Sequence, residues 1–340
     1  MKLSESELTA LARSALHGAG LGKEDAACAA SILVTADLLG LHTHGTSRIV
    51  SYAERVPLGG IAPRAAISVE RVAPALCRVD GANGMGPVVG QRALAAALDC
   101  AREAGIGAAF VRASNHFGPI APYCLIAAEQ GFATIIGSNA TTTIAPTGGA
   151  EARLGNSPLG FGLPHPGGRP IILDMALSVV ARAKIRDALK SGRVIPETWA
   201  TDAQGRATTD PRAALDGFLL PIGGYKGYGL ALIVDLFAGL LSGAAYLTHV
   251  ESWSEHPERP QNLGHFFIAI DTRRLGNPEW LAERMADFVA IVHDTPRAEA
   301  SIPVRLPGEM ELDTLKRNRL EGVVIADDLH TQLTALAARA

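Results

Sequence analysis

Aromatic side chains are scarce in this sequence: phenylalanine, tryptophan and tyrosine together make up 5% of it. A platform on which bases or sugars could stack therefore has little material. An excess of one charge is also missing. Lysine and arginine number 31 against 34 acidic residues, a net of −3, so no basic surface for nucleic acid is expected. Cysteine is rare, and Cys28, Cys77, Cys100 and Cys124 form no C-x-x-C pair. That rules out a zinc ribbon or thioredoxin-type motif and leaves no disulfide scaffold. The opening Met-Lys-Leu-Ser-Glu-Ser-Glu is polar and acidic, with no apolar run after it. No signal peptide is read there, and a cytoplasmic location without a membrane partner is expected. The most apolar stretch, residues 229–245, carries Asp235 and the glycines Gly229, Gly239 and Gly243. It is short for a membrane span and is expected to be a buried helix.

What the chain does have is length and glycine. Its 340 residues are 48% apolar, enough to close a core without metal or disulfide. The 36 glycines point to tight turns and close backbone approaches. Ser4 and Glu7 form a capping box for a helix over 4–20. A second helix is read over 23–39 and a third over 47–56, stopped by Pro57. From Ile67 the pattern changes to a βαβα rhythm. Strands are read at 67–72, 75–79, 107–111, 133–138, 171–174 and 266–271. Helices are read over 91–104, 120–130 and 280–293, with a last one at the C-terminus. Residues 84–90 read as a turn, and 139–170 as irregular.

Several constellations carry chemistry. Gly84-x-Gly86-x-x-x-Gly90 follows a strand and opens a helix, as a dinucleotide fingerprint does. The next strand ends at Arg112-Ala-Ser114 without the acid that binds a ribose, so a structural turn is the competing reading. His42-Thr43-His44-Gly45 with Arg48 joins a proton-transfer group to a fork that grips carboxylates. Structural histidines and an H-x-H metal pair stay open there, although no third ligand joins the pair. Ser114-Asn115-His116-Phe117-Gly118 lies past a strand end, as a turn or a site. Gly137 to Thr143, rich in hydroxyls, suits a phosphate held by hydroxyls and backbone N–H groups. Asp174 ends a strand and is read either as orienting a histidine or as the N-cap of the segment that follows. Lys226 sits among glycines before an apolar helix, as an anion contact would.

The ordered set of these motifs resembles the malate/L-lactate dehydrogenase family (the type 2, sulfolactate-dehydrogenase-like group). The set runs from His44-Gly-x-x-Arg48 through Asp80-Gly-x-x-Gly-x-Gly86, Ser114 to Gly118, Leu173 to Ala176 and Gly224-x-Lys226-Gly-Tyr-Gly229. It closes with Asn262 to Asp271 and Arg305-x-Pro-Gly-Glu309. The resemblance covers essentially the whole chain. It implies an α/β, non-Rossmann mixed-sheet fold with a helical N-terminal region over 1–74, joined by the segment 310–340. The α/β cofactor-binding and catalytic core would span 75–309. It implies an NAD- or NADP-dependent oxidoreductase of small 2-hydroxy and 2-oxo acids, malate- or lactate-like, working as a homodimer or dimer-based oligomer. Ureidoglycolate, sulfolactate, diketogulonate and Δ1-piperideine or pyrroline-2-carboxylate chemistry are alternatives. By resemblance the glycine fingerprint is not the dinucleotide site. The cofactor would lie along Ser138, Thr141 and Thr142, along Asp174, Met175 and Ser178, at Lys226-Gly227 and at Pro307-Gly308-Glu309. His116 is the preferred proton shuttle, with His44 a substrate ligand or the shuttle itself. Arg48 would bind the substrate carboxylate, Thr43 and Tyr52 would complete the pocket, and Asp174 would orient a histidine.

Overall fold

The computed structural model describes residues 1–340. Strand β1 (Lys2–Leu3) leads into helices α1 (Glu5–Gly18), α2 (Lys23–Leu38) and α3 (Arg48–Arg55). Ser4 and Glu7 make the reciprocal capping box at α1. The hairpin β2 (Ser68–Ala73) and β3 (Leu76–Asp80) is followed by α4 (Gly86–Ala104), β4 (Ile106–Ser114), α5 (Ala121–Glu129) and β5 (Phe132–Ser138). Next come β6 (Thr142–Ile144), β7 (Leu154–Gly155), β8 (Leu159–Leu163) and β9 (Ile171–Met175). Three helices follow, α6 (Arg182–Lys190), α7 (Pro211–Asp216) and α8 (Tyr225–Asp235), the last running into a π-helical turn at Leu236–Leu241. The chain closes with β10 (Leu263–Asp271), α9 (Pro278–His293), α10 (Glu309–Glu321), β11 (Val323–Val324) and α11 (Asp327–Ala337).

Seven strands form one mixed sheet in the order β2-β3-β4-β10-β5-β8-β9. Strand β3 is parallel to β4, while β10 is antiparallel to both β4 and β5. Strand β8 is antiparallel to β5 and to β9. The C-terminal ends of β3, β4, β5 and β9 therefore open on one edge of the sheet, where α/β proteins hold ligands. Helices α4 and α5 cover one face, and α2 packs on them. One apolar cluster runs from Leu8 through the sheet residues Val79, Val111 and Phe267 to Leu336. The C-terminal segment returns to the first helices: β11 pairs with β1, and α11 packs on α1. The hairpin β2–β3 crosses the expected boundary at residue 74 and belongs to the sheet.

Three expectations need correction. Helix α4 begins at Gly86, so Gly86 and Gly90 lie inside it rather than in a turn. Residues 139–170 are not irregular throughout, because they hold β6, β7 and β8. Strand β8 escapes a hydrophobic pattern because its inward positions are glycines. A Cβ on Gly160 would stand 2.4 Å from the Ile120 side chain, and one on Gly162 would stand 2.9 Å from that of Cys124. Finally, the apolar stretch 229–245 is not a fully buried helix. Ala231, Val234 and Ala238 pack inward, but Ile233, Leu240 and Leu241 are more than half exposed. No helix is long and apolar enough to cross a membrane.

Candidate active site

The His42–His44 turn is a short 3-10 helix between α2 and α3. Its shape is set by Asp37, a buried carboxylate near the end of α2. Asp37 accepts from the Thr46 backbone N–H at 2.8 Å and from the Thr46 hydroxyl at 2.5 Å, and it pairs with His42 Nδ1 at 3.0 Å. That last bond raises the His42 pKa above the ordinary histidine value. A side chain at position 45 would collide with this carboxylate, since a Cβ there would lie 2.2 Å from Asp37 Oδ1. This explains why glycine follows His44.

Held this way, the turn presents Thr43, His44 and Arg48 together. The Thr43 hydroxyl lies 2.9 Å from His44 Nδ1, and the Thr43 carbonyl accepts from Arg48 Nε at 2.6 Å. The remaining guanidinium nitrogens of Arg48 have no protein hydrogen bond, and the group lies 5.2 Å over the ring of Trp253. Burial, with Arg48 beside it, pushes the His44 pKa down to about 4.

His116 reaches the same place from the end of β4. Its ring lies 5.5 Å from that of His44 and 5.2 Å from that of Trp253, stacked at 20° on the indole. Tyr52, fully buried on α3, places its hydroxyl 2.6 Å from His116 Nδ1. The Gly118 N–H donates to that nitrogen at 3.4 Å, so the neutral ring carries its proton on Nε2, which has no protein partner. Burial, followed by the charges of His44 and Arg48, holds His116 well below the ordinary histidine range. The loop is seated directly on α4: a Cβ on Gly86 would stand 2.1 Å from the His116 carbonyl oxygen. A Cβ on Gly90 would stand 2.8 Å from the Tyr123 hydroxyl. These glycines of the apparent fingerprint thus serve the packing of the His116 loop.

Asp174 does not orient a histidine. Its Oδ2 accepts from the backbone N–H groups of Ile120 and Ala121, both at 2.8 Å, and so caps α5. Burial raises its pKa to about 6 against the pull of those two donors. The helix it caps precedes it in the chain, so Asp174 is not the N-cap of the segment that follows it, as the sequence suggested.

The hydroxyl-rich segment lies along the same sheet edge. Ser138 ends β5, and Thr142 opens β6. The Leu219 N–H donates to the Thr143 carbonyl, and Ser178 bridges to Pro221, which leads into Lys226 at the start of α8. Met175 ends β9 just ahead of Ser178. The Thr143 hydroxyl is buried without a partner. Lys226 is exposed and makes no ion pair, and open space surrounds Gly223 and Gly224. An orphaned hydroxyl, a free ammonium and bare backbone fit a phosphate-bearing cofactor. Gly227 has a packing role, because a Cβ there would meet the Ile222 carbonyl oxygen at 1.9 Å. Pro307, Gly308 and Glu309 lie further along the edge strand. The Pro307 carbonyl accepts from the Ile172 N–H, and Glu309 is tied to His293 at 2.8 Å. Thr141 is half-buried in the loop between β5 and β6.

Sequence reasoning missed Asp37, Trp253 and the role of His265. An acid inside the apolar run of α2 was a signal for the first. His265 bridges the strand ends through Ser138 Oγ and Ser114 Oγ, each at 2.8 Å.

Two histidines, an unpaired guanidinium and a hydroxyl-lined edge thus gather at one end of a mixed sheet, groups suited to moving a proton beside a bound anion. The chain belongs to the malate/L-lactate dehydrogenase family, whose model matches residues 3–334. A malate dehydrogenase of Pyrococcus abyssi is 34% identical, over 100% of this chain and 95% of that protein. A Δ1-pyrroline-2-carboxylate reductase of Ancylobacter novellus is 35% identical, over 100% of this chain and 98% of that protein. The solved structure of the sulfolactate dehydrogenase of Methanocaldococcus jannaschii superposes with a TM-score of 0.92 at 33% identity, covering 99% and 97% of the two chains. The protein is an oxidoreductase of this dehydrogenase class.

Proposed function

We propose that the pocket interconverts a small 2-hydroxy acid and its 2-oxo acid, malate- or lactate-like, with NAD or NADP as partner. The observation that carries this reading is the convergence of His116, His44 and the free fork of Arg48 around one opening. Arg48 binds the substrate carboxylate, with Thr43 holding both Arg48 and His44 in place. The nicotinamide, when bound, gives or takes the hydride at C2. Ser138, Thr141, Thr142, Met175, Ser178, Lys226 and Gly227 hold it, with Pro307, Gly308 and Glu309 toward its far end. The rest of the chemistry is a proton on the C2 oxygen, and His116 handles it at Nε2. The Tyr52 hydroxyl both donates and accepts. It therefore supports the neutral ring as well as the imidazolium, which turns an Nδ1–H toward it.

Burial keeps His116 neutral, and the charges of His44 and Arg48 add to that. A substrate carboxylate on Arg48 cancels its charge, so binding itself raises the proton affinity of both histidines. The test is a spectrophotometric screen of NADH and NADPH against pyruvate, oxaloacetate, sulfopyruvate, 2,3-diketogulonate and Δ1-piperideine-2-carboxylate. Turnover of a 2-oxo acid is expected to fall by ~10²–10⁴ in His116→Ala. Arg48→Lys is expected mainly to raise KM, because an ammonium cannot replace the fork. Turnover confined to the imine would overturn the reading.

The same reading includes a cytoplasmic homodimer. The face of the sheet opposite α4 and α5 carries an apolar groove of about 460 Å³ between β8, β10 and α9. The exposed Ile233, Leu240 and Leu241 extend the apolar surface of the chain. Apolar surface on this scale suits a second copy, which light scattering would count directly.

A further inference from the structure

We propose that Trp253 is a positioning residue that fixes the gap between Arg48 and His116 and walls the pocket against water. The inference rests on the function proposed above and deepens it. The indole borders three of the residues assigned to the pocket. It stacks on His116 at 5.2 Å, lies under the Arg48 guanidinium at 5.2 Å, and stands 6.2 Å from the Tyr52 ring. A guanidinium over an indole is held by the ring quadrupole, which resists sideways drift without using the N–H groups. The fork of Arg48 therefore stays free for a carboxylate while its position is set. The same indole packs flat on the imidazole, so anchor and proton donor share one rigid reference plane.

The segment that carries Trp253 is itself bound to the helix that carries Arg48. Arg55, at the end of α3, is buried and has no carboxylate partner. It donates to the carbonyls of Pro257 at 3.2 Å, Arg259 at 3.0 Å and Gly60 at 2.9 Å, and to Gln261 Oε1 at 3.3 Å. Gln261 Oε1 also accepts the His116 backbone N–H at 3.2 Å. Contact with the turn after α3 is direct, since a Cβ on Gly60 would lie 1.9 Å from the Pro257 carbonyl oxygen. Residues 253–261 therefore bridge the Arg48 helix and the His116 loop, at the indole and again at Gln261.

A tryptophan that merely filled space would affect stability and leave the kinetics alone. The test compares Trp253→Phe and Trp253→Ala with wild type in kcat, KM and the pH profile of kcat/KM, with Arg48→Lys and His116→Ala alongside. Trp253→Ala is expected to lower kcat/KM about 30- to 100-fold, from the loss of one cation–π and one stacking contact together. The loss should divide between a higher KM and a lower kcat. The groups facing His116 are His44 from the turn, Arg48, Tyr52 and Arg55 from α3, and His265 from β10. None is removed by the substitution, so admitted water is expected to move the acid limb of kcat/KM toward the ordinary histidine value. Trp253→Phe, which keeps a ring, is expected to recover most of the loss. Oxamate gives a readout without cofactor: its titration is expected to change tryptophan emission in wild type, and far less in Trp253→Phe. Wild-type kcat, KM and pH profile in Trp253→Ala, with the two controls impaired, would overturn the positioning role alone. Wild-type activity in the controls would instead overturn the proposed reaction. Should Trp253→Ala fail to fold, an oxamate signal unchanged in Trp253→Phe would overturn the proposal.

Discussion

The hydroxyl of Tyr52 stands 2.6 Å from Nδ1 of His116, although the two residues are 64 positions apart in the chain. Tyr52 is fully buried one turn beyond Arg48 on α3, so a single helix supplies both the carboxylate fork and the brace of the proton-transfer ring. Tyr52→Phe keeps the packing and deletes only this bond. Hydrogen bonds to groups that become charged contribute about 1.5–3 kcal/mol. The variant is therefore expected to lose about 10- to 100-fold in kcat with KM little changed. Steady-state kinetics at saturating cofactor measures this, and an unaltered kcat would remove Tyr52 from the proton path.

Substrate binding and protonation are coupled through Arg48. In the free enzyme its charge lowers the proton affinity of His44 and His116. A bound carboxylate neutralises that charge, so the histidine pKa governing kcat is expected to lie above the one governing kcat/KM in the direction of reduction. In Arg48→Gln the two profiles should converge, because no charge remains to be cancelled. Superimposable profiles in the wild-type enzyme would contradict the coupling.

Gly45 is expected to tolerate no side chain. A Cβ there would stand 2.2 Å from the Asp37 carboxylate, which also holds His42 and Thr46. Overpacking of this kind costs about 1–3 kcal/mol. Gly45→Ala should lower the urea midpoint and reduce activity further than its stability loss explains, because the turn it distorts carries His44. A variant with wild-type stability and kinetics would show that the turn relaxes without cost.

Much of the site was legible in the sequence, because its residues lie in short, ordered motifs. His44, Arg48 and Tyr52 follow one another four positions apart with Thr43 beside the first, so their meeting followed from one turn and one helix. His116 lies just beyond a strand end, where ligand contacts concentrate. What stayed hidden depends on contacts distant along the chain. Asp37 acts by filling the space that Gly45 leaves, a shape no spacing rule encodes. Trp253 reaches the pocket on an irregular segment held by Arg55. Strand β8 was concealed because α5 packs against its glycines, which removes the apolar alternation a strand normally shows. The glycines at 84, 86 and 90 were visible, but only the structure reveals that Gly86 makes room for the backbone of the His116 loop.

Asp174 separates capping from catalysis. Its carboxylate satisfies two N–H groups at the start of α5 and bonds no histidine. Asp174→Ala is expected to cost about 1–2 kcal/mol in stability, the size of a lost cap. The acid limb of kcat/KM should stay in place, because His116 takes its brace from Tyr52. A shift of that limb by a full pH unit would restore Asp174 as a partner of the histidine.

His265 makes acid stability a readout of the strand ends that carry the site. It is fully buried between Ser138 and Ser114, and burial pushes its pKa down to about 3. The unfolded chain binds a proton at this ring below about pH 6.5, whereas the folded chain stays neutral there. The unfolded state thus holds more protons, and stability is fully present above that pH and lost on acidification, by about 1.4 kcal/mol per pH unit for one such group. His44 and His116 act in the same direction. His265→Asn is expected to be less stable than wild type at pH 7, because it breaks the bridge between the two serines. Its stability should nevertheless fall less steeply between pH 6 and pH 4, by close to one proton's worth of slope. Urea denaturation at several pH values gives both quantities. Parallel slopes for the two proteins would show that His265 is protonated in the fold, and that the bridge between β4 and β5 is an ion–hydroxyl contact rather than a neutral one.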